Sequence, residues 1–281
     1  VLVTTPIEGQ LMVGFGAGRE KCFLFPGGID EALFDSYART GEFREKFHLP
    51  NRAKLVSFLG SVEERKNALT ILEIARLLSD KSGIHFVIAG RLEGSYGEKV
   101  QTESSSLKNV SVLGPLSKEE RGALIATSFV NINMSRAEAL GLSQMEFMSA
   151  GVPVITSGVG GQSWVVKGNY SGIIVNGPDD AKGAADAISR LAEHASARNR
   201  LGRAAANSSA GFMMSGLIHH LAKRLEDILK KRTDPVRAAL GTPSHERTVE
   251  VWIKKGYRVI ATDTRLIITS TKQTNQVVLV P

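Results

Sequence analysis

Cysteine is almost missing from this chain of 281 residues, where Cys22 stands alone. One thiol excludes an internal disulfide, offers no zinc-ligand spacing and suits a reducing compartment such as the cytoplasm. Cys22 lies in the apolar run Cys22-Phe23-Leu24-Phe25, so a packed thiol is expected there rather than a nucleophile. Long hydrophobic runs are missing too. None approaches the ~20 residues that span a bilayer, and Val1–Gly9 lacks the basic start and apolar middle of a signal peptide. No cluster of metal-ligating residues stands out. His219 and His220 adjoin on a helical stretch and point apart, so they cannot share an ion. His85 sits in an apolar strand and is expected to find its partner there.

Acids are in deficit. The formal net charge is +7, and between Arg190 and Arg237 ten basic residues face four acidic ones. A surplus of six in that stretch is nearly the whole imbalance. It reads as a solvated basic face, with peripheral contact to anionic lipid headgroups at the membrane's cytoplasmic side as the alternative. Nucleic acid is not expected, because no base-stacking aromatics interleave with these charges.

What is present is an ordinary globular composition, 42% hydrophobic and 22% charged, in a chain longer than one typical domain. Strand-like runs occur at Lys54–Leu59, Ile84–Ala89, Val110–Leu113, Phe129–Asn133, Val152–Thr156 and Gly172–Val175. Helical patterns fall between most of them, at Asn67–Ser79, Ser117–Ala126 and Leu142–Ser149. Ser117 with Glu120 makes a capping box. This alternation predicts an α/β fold, a Rossmann-like parallel sheet with helices on both faces and its ligands beyond the carboxyl ends of the strands. Upstream, Val1–Thr5 and Lys21–Pro26 read as strands around a helix Pro6–Gly14 started by Thr5, and Glu31–Phe47 reads as a helix. Downstream come helices Asp180–Glu193 and Gly216–Lys231. After a linker at Thr233–Glu246, four alternating runs (Thr248–Ile253, Tyr257–Ala261, Leu266–Thr271, Gln276–Val280) predict a short β-rich C-terminal tail, with Lys255-Gly256 as a hairpin turn. That tail is too small for a stable core of its own.

The most informative stretch is Ser135–Ile155, SRAEALGLSQMEFMSAGVPVI. It reads as loop, helix, tight turn and strand, with Glu138 before the helix and Glu146 inside it. Gly141 lets a ligand approach the backbone. The unpaired N–H groups from Leu142 to Gln144 suit a phosphate. Two acceptor-only carboxylates would flank it and take hydrogen bonds from sugar hydroxyls. Taken alone, the pair would equally fit a charged helix start and a solvated face.

The segment resembles the Glu-x7-Glu signature of the retaining glycosyltransferases of family 4, which have the GT-B fold. Other pieces agree in order. Pro26-Gly27-Gly28-Ile29-Asp30 is similar to the family's Pro-Asn-Gly-Ile-Asp turn, with Gly27 where Asn is usual. Leu55–Gly60 followed by Lys66-Asn67 resembles its strand, glycine turn and phosphate lysine, and Phe86–Gly90 and Val110–Gly114 resemble the next two units. The resemblance covers roughly residues 1–232. It implies that 1–30 end the first GT-B lobe and connect to the second, that 31–232 form the nucleotide-sugar-binding lobe, and that 233–281 are linker and tail.

By the same resemblance, Lys66 and Glu138 carry the chemistry, with Lys66 on the diphosphate and Glu138 near the transferred sugar. Glu146 takes the ribose hydroxyls, and Ala139, Leu140, Gly141 and Leu142 meet the diphosphate and sugar. Arg91 and Leu113 lie against the base. The family places an arginine directly after the turn glycine, where this chain has Ser61; serine cannot replace a bidentate phosphate contact, and Arg136 is the best-placed substitute. The segment Gly158–Gly161, GVGG, is expected as a flexible loop beside the donor. No metal or other cofactor is expected.

Two readings stay open. The chain is the donor-binding half of a hexosyltransferase that moves a sugar from a nucleotide diphosphate to a glycan, lipid-linked or small-molecule acceptor with retention. Alternatively it is a nucleotide-sugar-binding subunit without turnover. Either one looks to a partner lobe, as a separate chain or a missing N-terminal domain. A GT-B epimerase is the weaker option, because the Glu-x7-Glu context argues against it.

Overall fold

The computed structural model describes residues 1–236 and four later strands at 249–253, 257–261, 266–270 and 273–279. The apolar runs become parallel strands, as an unbroken Val/Ile/Leu/Phe pattern requires when both faces are covered. After β1 (Leu2–Val3), α1 (Pro6–Gly14), β2 (Phe23–Leu24) and α2 (Thr40–Lys46) come β3 (Lys54–Leu59), α3 (Ala68–Leu77), β4 (Ile84–Ala89), α4 (Gly94–Ser104) and β5 (Val110–Leu113). Next are α5 (Lys118–Thr127), β6 (Ser128–Asn133), α6 (Leu142–Ser149), β7 (Val154–Thr156), α7 (Gln162–Val165), β8 (Gly172–Ile174), α8 (Ala181–Glu193), α9 (Ala195–Ser209) and α10 (Met214–Val236). Strands β3 to β8 form one parallel sheet in the order β5-β4-β3-β6-β7-β8. The chain works outward from β3 to one edge, then returns to start again at β6. The switch point therefore lies between the carboxyl ends of β3 and β6, where ligands bind in such sheets.

Alternate residues of each central strand feed opposite faces. Val56, Phe58, Phe86 and Ile88 pack under α3 and α8, while Leu55, Val87 and Ala89 pack with residues of α2, α5 and α6. Between β3 and β6 the register shifts after the Leu55↔Ser128 pair, and Phe129 is left outside the ladder. Its ring is covered by Arg198 at 5.6 Å and Lys54 at 5.7 Å. Arg198, counted above in a solvated basic face, is thus a half-buried packing residue that also donates to Phe129 O at 3.2 Å.

Several expected elements keep their bounds, and α5 carries the full Ser117–Glu120 capping box. Glu31–Phe47 differs. It winds as a 3-10 helix over Glu31–Arg39, capped by Asp30, before α2 begins at Thr40. The helix read to Lys231 continues to Val236. Helices α4, α7 and α9 were not anticipated.

The chain divides into two units, Val1–Leu217 and Ile218–Pro281. In the second, β9 (Val249–Ile253), β10 (Tyr257–Ala261), β11 (Leu266–Ser270) and β12 (Gln273–Leu279) pair antiparallel in chain order, with an irregularity between Ile268 and Ser270. The Lys255-Gly256 turn and most of the 233–246 linker lie outside the described residues. No helix among the described residues is long and apolar enough to cross a membrane.

Candidate active site

Two loops meet at the switch point. The first leaves β3 at Gly60-Ser61, makes a 3-10 turn over Glu64–Lys66 and enters α3 through Asn67, whose φ of 56° reverses the chain direction. The second leaves β6 at Met134 and reaches α6 through Gly141 (φ 84°). Several contacts stitch them together, among them Arg136 Nη2 donating to Asn67 Oδ1 at 3.4 Å. Arg136 N donates to Arg65 O at 2.8 Å, Arg65 Nη1 donates to Ala137 O at 3.0 Å, and Lys66 Nζ pairs with Glu138 Oε2. The Lys66 and Glu138 side chains are only 16% and 9% exposed, so the pair is largely buried where the two loops meet rather than decorating a surface.

The segment GVGG forms the floor behind Glu138 and is not loose. Gly161 N donates to Glu138 O at 3.0 Å. A Cβ at Gly160 or Gly161 would fall 2.1 Å from Glu138 O or 2.0 Å from Ala139 O, so only glycine permits this approach. Gly141 is constrained differently, by its left-handed φ of 84°; the atom nearest an added Cβ is Gln144 Nε2, at 2.1 Å, the end of a side chain rather than backbone. Gln144 is fully buried, and neither of its amide atoms has a protein partner. The first intrahelical bond of α6 is Met145 N to Gly141 O, which leaves the N–H groups of Leu142, Ser143 and Gln144 ahead of the ladder.

Glu146 lies one turn inside α6 at 3% exposure, between the buried Met145 and Phe147. Its two carboxylate oxygens stand 2.6 and 2.7 Å from Arg121 Nη2 on α5. Neither glutamate is a solvated helix charge, which removes that alternative. Arg121 was missed by sequence reasoning. Its signal was the lone acid in the apolar run Met145–Met148, since a buried carboxylate needs a cation.

The remaining expected residues scatter along the same sheet edge. Ser61 is half-buried at the exit of β3, and Ala139 is exposed while Leu140 is buried. Leu113 is buried at the end of β5, its carbonyl accepting from Gly90 N at 3.2 Å. Arg91 is 73% exposed and pairs with Glu93 at 2.6 Å. Arg136 joins the site through its backbone, but its guanidinium turns to Asp179, at 2.6 and 2.9 Å. These hydrogen bonds raise the Arg136 guanidinium and hold the Asp179 carboxyl below its usual range. Asn67 Nδ2 reinforces the link by donating to Pro178 O at 2.8 Å. A cavity of about 470 Å³ opens on the α3–α4 side of this network and shares Asn67, Arg136 and Asp179 with it. Neither Lys66, Glu138 nor Glu146 lines it. His85 is buried on β4 with Nε2 2.9 Å from Ser111 Oγ, and burial lowers its pKa. Among the described residues no group of three or more His, Cys, Asp or Glu is placed to hold a metal ion.

A Rossmann-like lobe whose paired lysine and glutamate bridge the switch point defines the class. Residues 40–208 match the family model described as glycosyl transferases group 1, and the chain belongs to that family. It is 29% identical over 219 residues to a D-inositol 3-phosphate glycosyltransferase of Mycolicibacterium smegmatis, covering 75% of this chain and 49% of the relative. A protein of the same name from Corynebacterium jeikeium is 27% identical over 240 residues, covering 81% and 57%. The chain spans about half the length of the curated relatives it matches. Among solved structures, sucrose-phosphate synthase from Thermosynechococcus elongatus superposes with a TM-score of 0.71 at 22% identity, covering 82% of this chain and 58% of that one. Anabaena HepE in complex with UDP-glucose gives 0.70 at 18%, covering 81% and 63%. These likenesses establish the GT-B lobe fold.

Proposed function

We propose that this chain supplies the donor-binding half of a retaining glycosyltransferase, which transfers a hexosyl group from a nucleotide diphosphate sugar to a glycan, lipid-linked or small-molecule acceptor. The observation that carries the reading is the Lys66–Glu138 pair that joins the exit loops of β3 and β6 at the switch point. Breaking the anomeric bond leaves charge on the diphosphate, and fixed positive groups stabilise that charge as it develops. Lys66 and the leading N–H groups of α6 are those groups. An incoming diphosphate takes Lys66 from Glu138, which frees the carboxylate for the sugar. Glu146 takes the ribose hydroxyls, and Leu113 and Arg91 border the base. No metal ion enters this scheme, and binding is expected to withstand EDTA. Residues 31–232 carry the donor site. Residues 1–30, whose β1–α1–β2 unit forms its own parallel sheet apart from the six strands, belong to the end of a first lobe that a partner region supplies.

A second reading, nucleotide-sugar binding without turnover, is favoured by Ser61, since no arginine follows Gly60 and the Arg136 side chain is committed to Asp179. Calorimetry with UDP, GDP and ADP tests what both readings share: one of them binds, and no binding by any of the three overturns both. Donor hydrolysis, with and without a first-lobe chain, then separates transferase from binding subunit.

A further inference from the structure

Glu146 is held more tightly than contact with a ligand alone requires. Met145, Phe147 and Met148 around it are fully buried. Arg121 reaches the carboxylate from α5, whose start is set by the Ser117–Glu120 box one turn earlier. One nitrogen bridges both oxygens, at 2.6 and 2.7 Å. A carboxylate offers about four acceptor positions, so this bridge restrains the group while leaving acceptor capacity on each oxygen. The Arg121 side chain is 32% exposed against 4% for Glu146, which puts the arginine on the outer side of the pair. Tyr37 lies near enough to Glu146 for the carboxylate to help raise the phenol's pKa, after the larger effect of burial and against a lowering contribution from Ser149.

We propose that Arg121 is a positioning residue for the ribose of the donor nucleotide, fixing the Glu146 carboxylate in one orientation so that its remaining lone pairs receive the 2′ and 3′ hydroxyls. This rests on the reading of Glu146 given above. The alternative is a clamp that only ties α5 to α6. The two differ in what they do to discrimination. A clamp changes stability and all affinities together, whereas a positioning residue changes the preference for ribose.

The experiment is calorimetry on the full chain with UDP, GDP and ADP and with their 2′,3′-dideoxy counterparts. The diphosphate contacts are common to each pair and cancel in the ratio of affinities. Wild type is expected to favour the ribose form on the order of tenfold, as hydrogen bonds to a charged acceptor provide. Arg121→Met brings the ratio close to one, and Arg121→Lys keeps part of the preference. Should Arg121→Met fail to fold, Arg121→Gln and Arg121→Lys are read in the same ratio. A wild-type ratio in the neutral variants overturns the proposal and leaves the function standing. Equal binding of ribose and dideoxy forms by wild type overturns the role of Glu146 itself. If no nucleotide binds at all, the functional reading falls with it.

Discussion

Glu138 and Glu146 sit eight positions apart in one motif and have opposite fates. At the loop end, Glu138 meets a lysine delivered by another strand's exit loop. At the helix end, Glu146 is sunk among methionines and a phenylalanine and is bound by an arginine from the neighbouring helix. Under the proposed donor site the first pair opens for the diphosphate, while the second stays shut to keep its geometry. Spacing along the chain sets which residues can flank a ligand. The partner each one finds is what separates a working group from a fixed one.

The sharpest way to break this contrast is at the fixed pair. Arg121→Met leaves a buried carboxylate unpaired and is expected to cost about 3 kcal/mol in urea unfolding. The double variant Arg121→Met/Glu146→Met should recover much of that loss, since apolar replacement of both partners is often neutral. A double variant no better than the single one would show that the pair does more than satisfy burial.

Next in size is ligand binding. Lys66→Ala and Glu146→Ala are each expected to weaken the preferred nucleoside diphosphate at least about tenfold, roughly 1.4 kcal/mol, measured by calorimetry. Lys66→Ala also leaves the largely buried Glu138 carboxylate without its cation and is expected to lower stability as well; a variant that binds as wild type removes the lysine from the site. Ser117→Ala, which loosens the start of the helix carrying Arg121, should cost about 1 kcal/mol of stability. A thermal melt that does not move would mean the capping box is redundant.

The smallest effect is expected from His85, which lies away from both pairs. Burial depresses its folded pKa, so its contribution to stability is complete above the unfolded value near 6.5 and falls as pH drops through the folded value. Comparing urea midpoints at pH 7.5 and 5.5 for wild type and His85→Gln checks this. The wild type should lose more on acidification, and equal losses would remove His85 as the cause.

Much of the fold was legible because buried parallel strands are written as unbroken apolar runs. β3, β4 and β5 appear with the bounds read from their residues, and so does α6. Helix α4 was hidden because Gly94 and Gly97 break the pattern and only Tyr96 and Val100 mark its inner face. Helix α9, ASARNRLGRAAANSS, is so polar that its arginines looked like open surface; yet Arg198 lies on Phe129, and Leu201 and Ala205 face the core. The GVGG loop looked flexible from its glycines, whereas those glycines are there to let two backbones touch.

From the residues alone came the alternation of strands and helices along the chain and the two carboxylates around a helix start, while the lysine after the first glycine turn was marked by the family resemblance. Such features are local, set by periodicity, capping and backbone freedom within a few neighbours. Only the folded sheet decided that Lys66 meets Glu138 rather than solvent, that Arg121 takes Glu146, and that Arg136 turns to Asp179. Those partners lie 72, 25 and 43 positions apart. Contacts at such separations depend on which strands become neighbours, and that neighbourhood is a property of the whole packed sheet.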